Sequence, residues 1–447
     1  MTSKRTYIKD VTINLSEATV AGRIMSVRTM KNFSFFDVTD QSGKMQIMVT
    51  AKSQIAVPAV GTIVMAIGKP WLTKAGQISI ECHDLSILSK STDDISNAII
   101  KGLSLSERSV REKRSLEIIV SEDLKNMVRA RSIFISIVRD QMQNSGFMEI
   151  DTPILSPLRF AGTADVFETT SKSLARQLYL RGTLEDYLKQ LVVSGFEKVY
   201  QIGDCFRNES QALIEFTMLE AMWAYATSAE MLQLVQDIIQ RLCNEIPEPL
   251  IDSDAKKDLS KQFRMVSFWG LLNDYFKQDL RKLSIEEVKK LSDAYGYVMS
   301  DSIQDFEYKV ANFGYDVIKR VLSKNFESPT FVNRFPACIS PLAKAYNDGS
   351  GEADRGYGFF RGQRLFEVVT EASDYDEQLQ KFQDQDDRNP MPTQSFKHDE
   401  LLNALRYGCP PLAGLGFNVN RILAVILDKS RTSEVVPFPI TSAPLPL

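Results

Sequence analysis

Two strand-like segments joined by a short turn constrain this chain more than any other feature of its sequence. The segments KVYQIGDCFRNE and EFTMLE are separated only by SQALI, which predicts a hairpin. Alternate residues of a strand share a face, so Arg207 and Glu209 lie on one face of the first strand. Phe216 and Glu220 share a face of the second strand. The same pattern also fits a hairpin whose Arg–Glu pair is exposed to solvent.

The side chains on this hairpin have the chemistry of a site for an aminoacyl adenylate. Arginine binds an α-phosphate, an aromatic ring binds adenine, and carboxylates bind amines. A second segment, GCPPLAGLGFNVNRILAVIL, places a glycine-rich strand directly before Arg421, which begins an apolar helix. Small residues let a ligand approach the backbone, and an arginine at the start of a buried helix can reach a phosphate. The two segments together predict a site for a phosphorylated ligand.

The N-terminal part of the chain is rich in short alternating segments. From Thr19 to about Leu88 five β-rich runs recur, separated by turn-forming stretches such as DQSGK and TKAGQ, which predicts a five-stranded barrel. We expect this first domain to occupy residues 1–100 and a linker to occupy residues 101–115. The second domain, residues 116–447, begins with the helical pattern SEDLKNMVRARSIFISIVRDQMQNSGF and continues with both strands and helices. The predicted fold class is therefore α+β.

The composition limits the possible chemistry. The 447 residues are 44% hydrophobic and 25% charged, which is typical of globular proteins with two or three domains. Because the net charge is −4, contact with nucleic acid requires local basic patches. Two histidines and five scattered cysteines without CxxC spacing argue against histidine triads, zinc sites and a disulfide framework. With neither a signal-like apolar core nor a long apolar run, we expect a cytoplasmic protein and no membrane partner.

The chain resembles the class II aminoacyl-tRNA synthetases. FRNE with EFTMLE is similar to motif 2 of that class, GFMEIDTPIL to the dimer-forming motif 1, and GCPPLAGLGFNVNRILAVIL to motif 3, in the family's order. Within the class it is most similar to lysyl-tRNA synthetases, through LYLRGTLEDYLKQLVVSGFEKVYQIGDCFRNE and PTFVNRFPACISPLAK. The barrel segments GRIMSVR and SFFDVTDQSGKMQIMV resemble the anticodon-binding OB-fold. The resemblance implies an OB-fold barrel, then an antiparallel catalytic sheet flanked by helices, in a homodimer.

Roles for individual residues follow from this resemblance. It implies two catalytic arginines, with Arg207 on the α-phosphate and the substrate carboxylate and Arg421 on the γ-phosphate of ATP. It implies that Glu209 and Phe216 hold adenine. The implied amino-acid ligands are Glu185, Glu220, Glu367 and Glu371, of which Glu371 matches the carboxylate that pairs with the lysine ammonium. The alternative for Glu185 is an ordinary position on a helix surface.

The barrel residues implied in tRNA binding are Arg28, Phe35 and Gln46. In the family, aromatic and polar side chains on the barrel strands bind the splayed anticodon bases. The alternative is that Phe35 belongs to the barrel core and that Arg28 and Gln46 are merely solvated.

The sequence departs from the family pattern around the nucleotide. The loop between Glu209 and the second hairpin strand is short and has no basic residue. By register from Glu371, Tyr357 and Arg364 stand where the family has magnesium-ligating carboxylates, and Glu367 stands at an asparagine. Arginine cannot bind a metal ion, but it can place its own positive charge beside the phosphates. A register shifted by one or two residues would change these assignments, and the sequence leaves the metal ligands unknown.

Asparagines also stand at two motif 3 positions where the family has glycine and aspartate. They are Asn418 and Asn420, and a side chain at position 418 can narrow the amino-acid or ATP pocket.

Three functions fit these features. The first is a lysyl-type tRNA ligase that uses ATP and, with altered ligands, Mg²⁺. The second is a synthetase paralogue that adenylates a lysine-like or modified amino acid for an acceptor other than tRNA, which the altered pocket favours. The third is a paralogue that binds amino acid or tRNA without catalysis. The resemblance in fold favours the first.

Overall fold

A computed structural model describes most of the chain in two compact units. One unit extends to Lys125 and the other starts at Asn126. The predicted linker, residues 101–115, lies mostly outside the described residues, so its bounds stay a prediction. The structure describes residues 5–91, 95–101, 114–157, 165–208, 213–300, 303–326, 328–388 and 399–440.

The first unit contains a closed five-stranded barrel. Its strands, in the order β1-β2-β3-β5-β4, are β1 Ala18–Thr29, β2 Phe33–Asp40, β3 Gly43–Thr50, β4 Ile63–Leu72 and β5 Ile78–Ser89. Alternate residues such as Phe36, Val38 and Ile47 point inward and form its apolar core. The predicted barrel is confirmed, and all five strands lie where the alternating segments placed them.

The second unit is built on a large twisted sheet. Its strands, and those of two small sheets beside it, are β6 Met148–Glu149, β7 Leu155–Ser156, β8 Glu168–Ser171, β9 Arg176–Leu180, β10 Lys198–Phe206, β11 Glu215–Ala224, β12 Arg264–Ser267, β13 Thr330–Asn333, β14 Phe335–Pro336, β15 Glu352–Ala353, β16 Arg355–Phe360, β17 Gln363–Thr370 and β18 Leu412–Asn418. The large sheet has the order β12-β13-β16-β17-β18-β11-β10-β6. Its inner strands are antiparallel, as predicted, whereas β12 and β6 pair in parallel with their neighbours. The α+β class is confirmed.

Helices occur in both units, and those of the second unit flank its large sheet. They are α1 Ser96–Lys101, α2 Arg114–Val120, α3 Glu122–Asn144, α4 Glu185–Val193, α5 Ser228–Glu245, α6 Ser253–Leu259, α7 Phe268–Phe276, α8 Ile285–Ala294, α9 Phe306–Arg320, α10 Tyr375–Arg388, α11 Asp399–Leu405 and α12 Val419–Ile426. The predicted long helix is α3, which ends before Gly146, a residue with a positive φ of 82°. Among the described residues, no helix is both long enough and apolar enough to cross a membrane.

Helix α3 packs on one face of the sheet and leaves the other face open. The rings of Phe134 in α3 and Phe417 in β18 are 6.3 Å apart. Because alternate strand residues point to opposite faces, Gly416 and Asn418 face the opposite side of β18 from Phe417. That opposite side carries the candidate site.

Candidate active site

A cavity of about 1220 Å³ lies on the open face of the large sheet. Strand β11 contributes the alternate residues Phe216, Met218, Glu220 and Met222 to its lining, and β18 contributes Gly414, Gly416 and Asn418. Phe216 and Glu220 therefore share a face, as strand alternation predicts. The predicted hairpin forms from β10 and β11, which pair in antiparallel register.

One end of the cavity is rich in arginine. Arg207 follows β10 directly, and its guanidinium donates hydrogen bonds of 3.3 Å to the carbonyl of Gly182 and lies 5.3 Å from the ring centre of Phe216. Arg421 lies in the first turn of α12, where its backbone N–H donates to Oδ1 of Asn418 at 2.9 Å. Asn418 therefore caps the helix that positions Arg421.

The guanidinium groups at this end lie close enough to influence one another. Nη1 of Arg421 donates to the backbone carbonyl of Arg364 at 3.2 Å. Burial, and then the positive charges of Arg364 and Arg207, lower the pKa of Arg421 to about 10. Arg421 thus remains charged at neutral pH, in surroundings that favour an anion.

The hairpin of β16 and β17 forms the wall behind these arginines. Tyr357, which is 2% exposed, has the guanidinium of Arg364 at 4.6 Å and that of Arg355 at 5.0 Å from its ring centre. Arg364 donates to the Tyr315 hydroxyl at 2.7 Å. Arg355 pairs with Glu367, with 2.7 Å between Nε and Oε1, and also donates to the Tyr357 hydroxyl. Glu367 lines the cavity, but its carboxylate is already engaged by a cation of the protein.

The other end of the cavity is rich in carboxylates. Oε2 of Glu220 accepts hydrogen bonds of 2.9 Å from the Thr183 hydroxyl and from the Leu184 backbone N–H. Burial, and then the nearby charge of Glu185, raise the pKa of Glu220 to about 7. Glu185 lies in the first turn of α4, lines the cavity and is partly exposed, so its side chain is accessible to a ligand there.

A buried lysine holds two of these carboxylates. Nζ of Lys189 is 2.9 Å from Oε2 of Glu371 and 3.3 Å from Oε1 of Glu185, and the Lys189 side chain is 0% exposed. Burial alone would lower the pKa of Lys189, but the two carboxylates raise it. Burial raises the pKa of Glu371, and the Lys189 ammonium opposes this shift. The lysine therefore lies behind Glu371 as a fixed counter-ion.

The second oxygen of Glu371 lies against the backbone of β18. A Cβ atom on Gly414 would be 2.3 Å from Oε1 of Glu371, so only glycine leaves room for the carboxylate in this position. Glu371 and Gly414 both line the cavity. Sequence reasoning selected Glu371 but missed Lys189, although its spacing of four residues from Glu185 on an amphipathic helix was a usable signal.

Of the residues selected in motifs 2 and 3, Glu209 is not described by the structure and Asn420 is buried. Glu209 lies outside the described residues, so its proposed contact with adenine stays a prediction. Asn420 is 1% exposed and accepts a 2.9 Å hydrogen bond from Arg131 of α3. Arg131 also donates to Thr217 of β11 at 2.7 Å, so one side chain of α3 joins the motif 2 and motif 3 segments.

The barrel carries its three selected residues on its outer surface. Phe35 is paired in register with Arg28 on β1, and the next strand places Gln46 opposite Asp37. Phe35 is absent from the apolar core, where Phe36 takes the inward position, so the alternative of a core phenylalanine does not hold. Sequence reasoning missed Phe33, an exposed ring 5.3 Å from that of Phe35 in edge-to-face contact.

Comparisons with known proteins match both units. The family described as tRNA synthetases class II (D, K and N) matches residues 106–442, and the family described as OB-fold nucleic acid binding domain matches residues 18–88. A lysine–tRNA ligase from Methanospirillum hungatei is 30% identical over 434 residues, which cover 94% of this chain and 85% of the relative. Lysine–tRNA ligases from Clostridium tetani and Escherichia coli are each 29% identical, and the matches cover 95% of this chain and 86% of each relative.

Proposed function

Because the chain belongs to the class II tRNA synthetases of the D, K and N group, we propose that it activates lysine with ATP and transfers it to tRNA. The observation that carries this proposal is the division of one cavity into an arginine-rich end and a carboxylate-rich end. A nucleotide triphosphate fits the first end, and the ammonium groups of an amino acid fit the second.

The balance of charge at the carboxylate end supports lysine as the substrate. The carboxylates of Glu185, Glu220 and Glu371 line this end of the cavity, and one ammonium, that of Lys189, pairs with Glu185 and Glu371. The surplus of negative charge matches the α-ammonium and side-chain ammonium groups of lysine. An amino acid with a neutral side chain would leave part of this negative charge uncompensated, which is unfavourable in a buried site.

The proposed first step is adenylate formation. A carboxylate oxygen of lysine attacks the α-phosphorus of ATP, the bond from that phosphorus to the oxygen bridging to the β-phosphate breaks, and pyrophosphate leaves. Arg207 stabilises the charge on the α-phosphate, and Arg421 binds the departing phosphates. Positioning and charge stabilisation carry this chemistry, so it requires no histidine base.

In the second step a terminal hydroxyl of tRNA attacks the activated carbonyl carbon. The new ester forms as AMP leaves with the electron pair of the broken C–O bond, and the hydroxyl proton passes to a phosphate oxygen of the departing AMP. We propose that the barrel binds the anticodon of the same tRNA through Arg28, Phe35 and Gln46, with Phe33 as an additional stacking surface.

We also propose that the protein is a homodimer formed through the motif 1 region. Three apolar side chains of the motif 1 segment are exposed, namely Met148, Ile154 and Leu155, and so is Val128 of the preceding helix α3. Exposed apolar groups concentrated in one region are typical of an interface. The molar mass in solution, measured by light scattering, tests this assembly, and a monomer at micromolar concentration contradicts it.

One observation favours a second candidate function. Glu371 is the residue expected to bind the substrate ammonium, yet Lys189 already occupies one of its oxygens, and Arg355 occupies Glu367. These internal cations favour a paralogue that adenylates a different or modified amino acid for an acceptor other than tRNA. A paralogue that binds amino acid or tRNA without catalysis would be the outcome if no adenylate forms.

Amino-acid-dependent ATP–pyrophosphate exchange tests the proposal and its alternatives. The purified full chain is assayed with each standard amino acid, and then with total tRNA and radiolabelled lysine. Exchange with lysine, followed by acylation of tRNA, is the expected result. Exchange with lysine but no acylation supports the paralogue with another acceptor. No exchange with any amino acid contradicts the proposed function.

A further inference from the structure

We infer that the cavity binds the triphosphate of its nucleotide through arginine side chains, without a divalent cation held by the protein. This inference rests on the proposed function in taking ATP as the nucleotide. It concerns Arg207, Arg364 and Arg421, which line the arginine-rich end.

These three guanidinium groups differ from that of Arg355 in how they are held. Among the residues that the structure describes, none of the three forms an ion pair with a carboxylate. Arg207 and Arg421 donate to backbone carbonyls, and Arg364 donates to a tyrosine hydroxyl. Arginine stays charged in proteins, and several buried like charges are unfavourable unless an anion binds between them. The arrangement is therefore preorganised for a polyanion.

The same region does not fit a magnesium ion. Mg²⁺ prefers carboxylate and water oxygens in octahedral geometry. Within the described part of the chain, no group of three or more His, Cys, Asp or Glu residues is placed to hold a metal ion. On the β16–β17 hairpin the one carboxylate facing the cavity is that of Glu367, which is paired with Arg355, and the Tyr357 hydroxyl is engaged by the same arginine.

Two tyrosine side chains, those of Tyr315 and Tyr357, hold the guanidinium of Arg364 in place at the cavity. Its guanidinium lies over the ring of Tyr357 and donates to the hydroxyl of Tyr315, and these two rings stack with centres 5.6 Å apart. A guanidinium fixed on an aromatic surface loses little conformational entropy when it binds a phosphate. Lys319, exposed at the cavity rim, adds a further positive charge nearby.

Calorimetric titration of the full chain with ATP and with AMP, first in excess EDTA and then in excess Mg²⁺, tests the inference. The expected Kd for ATP in EDTA lies within about threefold of that in Mg²⁺, and ATP binds at least about tenfold more tightly than AMP in EDTA. Binding of ATP only in the presence of Mg²⁺, or equal affinity for ATP and AMP in EDTA, would overturn the inference.

Substitutions at position 364 identify the group responsible. Arg364→Met is expected to weaken ATP binding in EDTA by about tenfold or more, whereas Arg364→Lys retains most of the affinity. Arg361→Gln is the matched control, because this arginine lies in the turn of the same hairpin, outside the cavity lining, and pairs with Asp428. If Arg364→Met binds ATP as tightly as the unaltered chain in EDTA, the inference is wrong.

The inference and the proposed function fail in different ways. If ATP binds in EDTA but lysine supports no pyrophosphate exchange, the proposed function fails and the arginine site stands. If lysine supports exchange but ATP binds only with Mg²⁺, the proposed function stands and the arginine site fails.

Discussion

The two ends of the cavity differ in whether the protein supplies counter-ions for their buried charges. At the carboxylate end the protein supplies its own counter-ion, because Lys189 is held between Glu185 and Glu371. At the arginine end, none of the described carboxylates forms an ion pair with Arg207, Arg364 or Arg421. The first end is partly satisfied before any ligand binds, whereas the second needs the ligand to complete it. We therefore expect substitutions at the arginine end to affect binding and catalysis most, and those at the carboxylate end to affect stability and selectivity as well.

The largest expected effect is that of removing a cation from the arginine end. Arg207→Ala is expected to lower the rate of pyrophosphate exchange by about a hundredfold to a thousandfold, because it removes a charged donor to the α-phosphate. Steady-state exchange kinetics measure the change. Arg176→Ala, an exposed arginine at the start of β9, is the control. Exchange that survives Arg207→Ala would contradict the phosphate role.

At the carboxylate end a substitution is expected to cost stability as well as selectivity. Glu371→Gln leaves a buried ammonium with a weaker set of partners, so the free energy of unfolding is expected to fall by about 3 kcal/mol. Selection of lysine over uncharged amino acids in the exchange assay is expected to weaken in parallel. Urea denaturation measures the first quantity.

A double substitution sharpens this prediction. Lys189→Met combined with Glu371→Gln is expected to lower the free energy of unfolding by less than the sum of the two single changes. The expected difference from that sum is about 1–3 kcal/mol. If the two effects simply add, the residues do not act as a pair and the contrast between the two ends fails.

A smaller effect is expected from pH. The pKa of Glu220 is about 7, and its charged form is the one that binds an ammonium. Lysine affinity is therefore expected to rise by about tenfold as the pH increases from about 6 to about 8. The contribution of Glu220 to the free energy of unfolding is expected to fall as the pH rises from 4.5, the ordinary pKa, to about 7. A carboxyl group with a raised pKa stabilises the fold in its protonated form, and that form is lost over this range.

Titration calorimetry across this pH range checks the prediction. Glu220→Gln is expected to reduce the pH dependence, with Glu371 contributing what remains, whereas Glu215→Gln on the same strand leaves it unchanged. Affinity that does not vary with pH would show that Glu220 is not a ligand of the ammonium groups.

The smallest effect is expected from a substitution in the barrel, which should leave binding at both ends of the cavity unchanged. Phe35→Ala is expected to weaken tRNA binding by about 1 kcal/mol, the lower end of the usual contribution of a stacked base. Pyrophosphate exchange without tRNA is expected to stay unchanged. Filter binding with total tRNA measures the affinity, and Leu72→Ala, an exposed apolar residue of β4, is the control. A matching loss in both variants would contradict a specific role for Phe35.

The sequence predicted those parts of the fold whose periodicity is local. Strand alternation placed Phe216 and Glu220 on one face, and the helical spacing located α3. The short strand β12, with four residues, was missed because a run of that length cannot be distinguished from part of a buried helix. The segment MEIDTPIL, whose pattern is typical of one strand, forms strands only at its ends, as β6 and β7.

The sequence did not reveal the ion pairs inside the site, because they join residues far apart in the chain. Lys189 and Glu371 are separated by 182 residues, and no local pattern links them. Arg355 and Glu367 are closer, but their pairing depends on the register between β16 and β17, which alternation alone does not fix. The roles assigned by resemblance to the cavity residues and to the barrel residues stay predictions.

The long separation between Lys189 and Glu371 also has a consequence for how the protein is made. During synthesis the helix that carries Lys189 emerges well before β17, the strand that Glu371 directly follows. An ammonium group buried without its partner is unfavourable, so Lys189 must stay hydrated until β17 arrives. The carboxylate end of the cavity is therefore completed late, and a nascent chain that stops short of β17 lacks it.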